Sequence, residues 1–196
     1  MKIKNTFLLL FSRKFSALLM MLWYKAALLA FYSGSMPRIA IKSMNFPNTP
    51  ENTVRENRIC QFIQLCVSIG NVFGGLFWGR VFTKLRNRIN VTISIVIGSS
   101  SIIVIIILYS LGYYTYVGWY ILGFLFGNSE FTAYTIIIAV LAYEFTSDTE
   151  QFGAYAVMRG FGIFFWYLMS SIMVEHYTYA LIIMFACLNV GALIVI

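Results

Sequence analysis

Residues 118–143, GWYILGFLFGNSEFTAYTIIIAVLAY, decide the fold. The stretch has one charged side chain, Glu130, and no proline. It exceeds the roughly 20 apolar residues that carry an α-helix across a bilayer. Gly123, Gly127, Glu130 and Tyr134 fall at i, i+4, i+7 and i+11, a single stripe of a helix. Asn128, Thr132 and Thr135 make an adjoining polar strip. A membrane helix this polar at its centre does not face lipid. It lines a cavity, or it packs closely on another helix through small and hydroxyl residues.

The rest of the chain has the same character. Of 196 residues, 60% are hydrophobic and 11% charged, against about 25% charged in soluble domains. Mean hydropathy is +0.81. So few charges cannot clothe a water-facing surface, which excludes a soluble enzyme. An aromatic content of 18% excludes a disordered chain. The net charge of +7 fits the gathering of Lys and Arg in cytoplasmic loops. No basic, water-exposed face suits a nucleic acid. Cys60, Cys66 and Cys187 lie in apolar stretches without a CxxC or Cys/His cluster, so they read as core thiols. The apolar run 7–11 is too short for a signal peptide and lacks a small-residue cleavage site.

These patterns predict an all-α membrane protein with six transmembrane helices. Residues 1–14 form a basic, cytoplasmic N-terminal segment, and residues 15–196 form the bundle. The spans are expected near 15–33, 59–78, 89–111, 118–143, 153–174 and 179–196. Residues 36–57, with Pro37, Pro47, Pro50 and four asparagines, are expected to form one long loop. Tyr113, Tyr114, Tyr116, Trp119 and Tyr120 crowd a tight turn at headgroup level. The chain ends inside an apolar stretch, which suggests a fragment.

An even number of spans puts both termini on one side. Lys2, Lys4, Arg13, Lys14, Arg80, Lys84, Arg86 and Arg88 share that side, whereas Arg38, Lys42, Arg55 and Arg58 lie opposite. The positive-inside bias makes both termini and the 79–88 turn cytoplasmic. Cysteines introduced at Asn87 and Asn48 test this. An impermeant thiol reagent applied outside the cell should label position 48 only, and outside labelling at 87 would reverse the topology.

Charges inside spans are costly, and they mark function. Lys25 lies mid-span in the first helix and Glu130 mid-span in the fourth, at similar depth, so a pairing of the two is expected. The alternative is a neutral Glu130 hydrogen-bonded to Thr or Tyr, with Lys25 in a separate watery pocket. Arg159 sits about two turns inside the fifth span, where it can snorkel or meet Glu144, Asp148 or Glu150. In the second span, Gly70-xxx-Gly74 and Gly75-xxx-Gly79 have the small-xxx-small spacing of close helix contact. His176, the only histidine, reads as a loop residue. No nucleophile elbow, phosphate loop or zinc-protease motif appears, so no catalytic residue, cofactor or metal site is expected.

Residues 79–88, GRVFTKLRNR, resemble the major facilitator loop motif G-x-x-x-D-[RK]-x-G-x-[RK]. Gly79, Lys84 and Arg88 match. Thr83 stands in place of the Asp and Arg86 in place of the second Gly, so the acid of the loop's charge relay is missing. Residues 120–165, YILGFLFGNSEFTAYTIIIAVLAYEFTSDTEQFGAYAVMRGFGIFF, resemble the Unc-ninety-three-like family of that superfamily. That family shows a Gly-rich helix with a polar centre, an acidic loop and a Phe-Ala-x-Tyr helix start. Tyr32-Ser33-Gly34 resembles its Tyr-x-Gly segment. The resemblance implies the C-terminal six-helix half of a twelve-helix protein, with the first and fourth helices lining a central cavity. It implies two functions: a regulator or accessory of other membrane proteins, ion channels among them, or a solute transporter. The departures in the loop motif favour the accessory. The expected partners are the lipid bilayer and either another membrane protein or a missing N-terminal half. The Ile, Phe and Tyr richness offers the alternative of a hydrophobic structural subunit of an organellar complex.

Overall fold

The computed structural model describes residues 8–44, 46–47, 49–82, 84, 87–111, 115–144 and 150–172, together with 183 and 186. Among these residues the fold is all-α. Its elements are α1 (Arg13–Ala30), a π-helical turn (Phe31–Ser35), α2 (Met36–Met44), α3 (Pro50–Phe82), α4 (Asn87–Leu111), α5 (Tyr116–Glu144) and α6 (Glu150–Ile172). Among the described residues, four segments are long and apolar enough to cross a membrane: Leu18–Met44, Pro50–Val81, Tyr116–Ala142 and Glu150–Met169. The expected third span coincides with α4, and the expected sixth span lies outside the described residues apart from Ile183 and Ala186.

The expected long loop at 36–57 is corrected. The first helix does not stop near residue 33 but continues through the π turn into α2, and α3 begins at Pro50. The prolines explain why this is tolerated. Proline removes an N–H and its ring clashes with the carbonyl four residues back. For Pro37 that carbonyl belongs to Ser33, inside the π turn, where the ladder is already rearranged. Pro50 opens α3, where the missing N–H has no helical partner to lose. α2 is amphipathic, with Met36, Ile39 and Ala40 buried and Arg38 and Lys42 turned outward or to the rim.

The π turn is held from outside its own helix. Such a turn leaves backbone carbonyls without a regular partner, and in a membrane these must be satisfied internally. The Tyr32 carbonyl accepts a hydrogen bond from Gln64 Nε2 of α3 at 2.9 Å. Ser33 Oγ bonds the Leu29 carbonyl and the Tyr167 hydroxyl. Gln64→Leu should therefore lower stability by about 1–2 kcal/mol, the cost of an unsatisfied carbonyl. A thermal midpoint unchanged by that substitution would show that Gln64 does not hold the turn.

Helix starts follow local chemistry. Ser12 Oγ accepts from the Phe15 amide at 3.2 Å, Thr49 Oγ1 from Asn52 at 3.4 Å and Thr115 Oγ1 from Gly118 at 3.2 Å, satisfying orphan first-turn donors. α3 has 33 residues, about 50 Å of helix, so its polar start (residues 50–58) projects beyond a core of about 30 Å.

α5 is the hub, packing on α3, α1 and α4, while α1 also packs on α6. The α3–α5 contact is the closest, and glycines make it so. A Cβ on Gly127 would collide with the Val67 carbonyl, and one on Gly70 with the Phe124 carbonyl. Gly123 lies against the Ile63 carbonyl, and Gly74 against Asn128. A Cβ on Gly79 would meet nothing within 4 Å among the described residues, so of the second expected spacing only Gly75, where a Cβ would meet the Phe131 ring, shows a close contact. The outward faces of α3 (Phe62, Leu65, Ile69, Val72, Leu76) and α6 (Val157, Phe161, Phe164, Leu168, Ile172) are apolar and exposed, as suits lipid contact.

Candidate functional site

Two apolar clusters fill the bundle. One gathers Tyr24, Leu28, Phe31, Ile63, Phe126 and Ala133. The other gathers Phe15, Leu18, Leu22, Ile137, Leu141 and Ala154. Along α1 and α5 the first ends and the second begins close to Lys25 and Glu130. A polar layer is thus sandwiched between two apolar ones.

The register of that layer is set by a hydrogen bond between Tyr24 and Ser129, 2.9 Å from Oη to Oγ. Their sequence neighbours, Lys25 and Glu130, consequently lie at one depth. Lys25 is 4% exposed and Glu130 8%. The Lys25 ammonium rests on the face of the Tyr134 ring, 3.7 Å from its centroid, a cation–π contact strengthened by desolvation. Glu130 Oε2 accepts from Asn71 Nδ2 of α3 at 3.3 Å. The Glu130 carboxylate also acts electrostatically on Lys25 and on the Tyr32 and Tyr155 hydroxyls. Lys25 and Glu130 therefore share one interior space, but among the described residues no direct ion pair joins them.

Arg159 belongs to the same layer. Its guanidinium acts on Lys25, Tyr32 and Tyr155. One turn further along α6, Gly162 brings the two helices close: a Cβ there would lie 2.9 Å from Ala26 Cβ. Trp23 packs edge-on against Phe161, Phe165 and Trp166 beside it. Arg159 itself is half-buried, and of the acids expected to meet it the Glu144 side chain lies outside the described residues. Asp148 lies outside the described residues.

The other expected site residues divide by what they touch. Asn128 Oδ1 accepts from Trp78 Nε1 at 3.0 Å, tying α5 to α3. Thr132 Oγ1 bonds the Asn128 carbonyl at 2.6 Å and Thr135 Oγ1 the Phe131 carbonyl at 3.0 Å. These hydroxyls are satisfied by their own helix. The 118–143 stripe therefore has two jobs: Gly123 and Gly127 are packing surface, and Glu130 and Tyr134 are polar interior. In the loop motif, Gly79 is still helical at the end of α3, and Lys84 is exposed in the turn. Arg86 and the Arg88 side chain lie outside the described residues. Cys60 and Cys66 are half-buried free thiols.

Sequence reading passed over Gln64 and Asn71. The signal was present: Gln64, Asn71 and Trp78 recur every seven residues, one face of α3, and all three donate into the core. It also passed over Gln151 and Tyr155, which precede Arg159 by eight and four residues on one face of α6. Gln151 is fully buried, and among the described residues neither its amide oxygen nor its nitrogen has a hydrogen-bond partner; the Tyr155 hydroxyl, also buried, lies beside the Arg159 guanidinium.

No protein-family model matches the chain, and no curated protein matches it.

Proposed function

We propose that this is a multi-pass membrane protein of the major facilitator type that moves a small polar solute, with the Lys25–Glu130–Arg159 layer as its solute-handling centre. The observation that carries the reading is the layer itself. Lys25 and Glu130 lie buried at one depth, where burying charge is expensive, and Arg159, half-buried on a third helix, acts on Lys25. An accessory subunit recognised through its lipid-facing surface, or a structural subunit held by packing, would need none of them.

The helix pairing supports the facilitator type. Numbering the spans as expected from sequence, the first packs on the fifth and the second on the fourth. Exchanging helices 1, 2 and 3 with 4, 5 and 6 converts one pairing into the other, as in the inverted repeats nested within a facilitator half. The Unc-ninety-three-like resemblance of residues 120–165 points the same way. A transport path then needs a second six-helix half, supplied by another chain, by a second copy or by sequence beyond this one.

Currents across solid-supported membranes test the proposal. Proteoliposomes of the protein, challenged with anionic, cationic and zwitterionic solutes in turn, should give a transient current for one class, absent from empty liposomes and abolished by Lys25→Met. No current above empty liposomes for any class would favour the accessory role, to which the departures at Thr83 and Arg86 point.

A further inference from the structure

We propose that the polar layer binds a small monocarboxylate, held between Lys25 and Arg159 and approached along the Gln151–Tyr155–Arg159 face of α6.

Charge is the first argument. Among the described residues, Lys25 and Arg159 are two cations to the one carboxylate that acts on Lys25, Glu130, so the layer carries one uncompensated positive charge. In a low-dielectric interior that excess is costly, and a monovalent anion relieves it. A dianion would overshoot, and a cation would add to the excess.

Donor count is the second. Lys25 offers three N–H groups and Arg159 five, all donors, while Glu130 is already engaged by Asn71. The buried Tyr155 hydroxyl, beside the Arg159 guanidinium, adds another donor. Gln151, fully buried with both amide atoms unpartnered among the described residues, lies two turns nearer the start of α6. Buried polar groups without partners are rare in folded proteins. Gln151 and Tyr155 lie in a row on the helix face that leads to the two cations, through an otherwise apolar cluster.

Shape is the third. The guanidinium fork matches a carboxylate in bidentate fashion, and the aromatic groups of Tyr134 and Tyr155 beside the cations offer an apolar surface to the organic part of the ligand. A halide would use the charge but neither of these features.

The proposal deepens the transport reading and rests on it for the route, but the binding test is independent of flux. The purified full chain in detergent is titrated with sodium acetate, sodium chloride or sodium sulfate at equal ionic strength, following the thermal midpoint. Acetate should raise the midpoint saturably, and the other two salts should not. Lys25→Met and Arg159→Met should each weaken the apparent acetate affinity at least tenfold. Tyr155→Phe, which removes one hydroxyl and no charge, should weaken it several-fold and serves if the charge variants do not fold. No saturable acetate effect, an equal effect of chloride, or undiminished affinity in Tyr155→Phe would each overturn the site. Acetate binding without any solute current would leave the site standing and remove the transport reading. A current carried by cations alone, with no acetate effect, would do the reverse.

Discussion

Gly127→Leu is expected to abolish the folded bundle. The atoms nearest the position cannot move aside as a side chain would, because an added Cβ would run into the Val67 carbonyl and come within 3.0 Å of the Asn71 amide nitrogen, both backbone. Close approach of two membrane helices depends on small residues at such points. A leucine there forces α3 and α5 apart over their whole contact, so two donors of α3 lose their α5 acceptors together: Asn71 to Glu130 and Trp78 to Asn128. Overpacking a core costs about 1–3 kcal/mol where side chains can yield. Here nothing yields, and the combined loss should reach the order of 5 kcal/mol, comparable with the whole stability of many proteins. Size-exclusion profiles of a fluorescent fusion in detergent should show aggregate in place of the monodisperse peak. Gly160→Leu is the control, since a Cβ there meets nothing within 4 Å, and it should behave as wild type. A normal profile for Gly127→Leu would mean that α3 and α5 are not packed as described.

The helices of this fold were legible because membrane spans are announced by composition over long windows, which local detail does not disturb. The same coarse reading misjudged residues 36–57, because prolines were taken as breaks. A proline breaks a helix only where a ladder bond is lost, and neither Pro37 beside the π turn nor Pro50 at a first helical position loses one. Glu130, Lys25 and Arg159 stood out from the sequence as charges in apolar surroundings. Their geometry did not, since the side chain that reaches Glu130 is a neutral amide, Asn71, in a helix far away in sequence. A neutral amide in a span raises no alarm by itself. Only its seven-residue spacing from Gln64 and Trp78 gives it away. Helical spacing puts Gly123 and Gly127 on one stripe with Glu130, but periodicity shows a shared face and not what lies opposite. It could not reveal that one half of the stripe meets backbone and the other half meets charge.

The charge balance of the polar layer predicts that its members are not equivalent. Glu130→Gln leaves Lys25 and Arg159 together in the interior with no carboxylate to offset them, and it weakens the acceptor for Asn71. Stranding a buried charge costs roughly 3–5 kcal/mol when a direct pair is broken. Glu130 acts on Lys25 without direct contact, so the lower end, about 3 kcal/mol, is expected. Lys25→Met does the opposite. It removes one of two like charges, leaves Glu130 and Arg159 as a balanced set, and replaces an ammonium on the Tyr134 ring with a thioether that also packs well on aromatic faces. Its cost should be about 1 kcal/mol. In the double variant the repulsion created by Glu130→Gln has lost one of its two partners, so the combined loss should fall short of the sum by roughly 1–2 kcal/mol, a coupling readable in a double-mutant cycle. Thermal midpoints or denaturant titrations of the four proteins in one detergent give the cycle. Lys25→Met more damaging than Glu130→Gln, or coupling near zero, would mean that the interior carries no uncompensated positive charge. The order of the two single variants is the sharper reading, because a simple one-to-one pair would make them alike, and only two cations around one carboxylate make them differ in this direction.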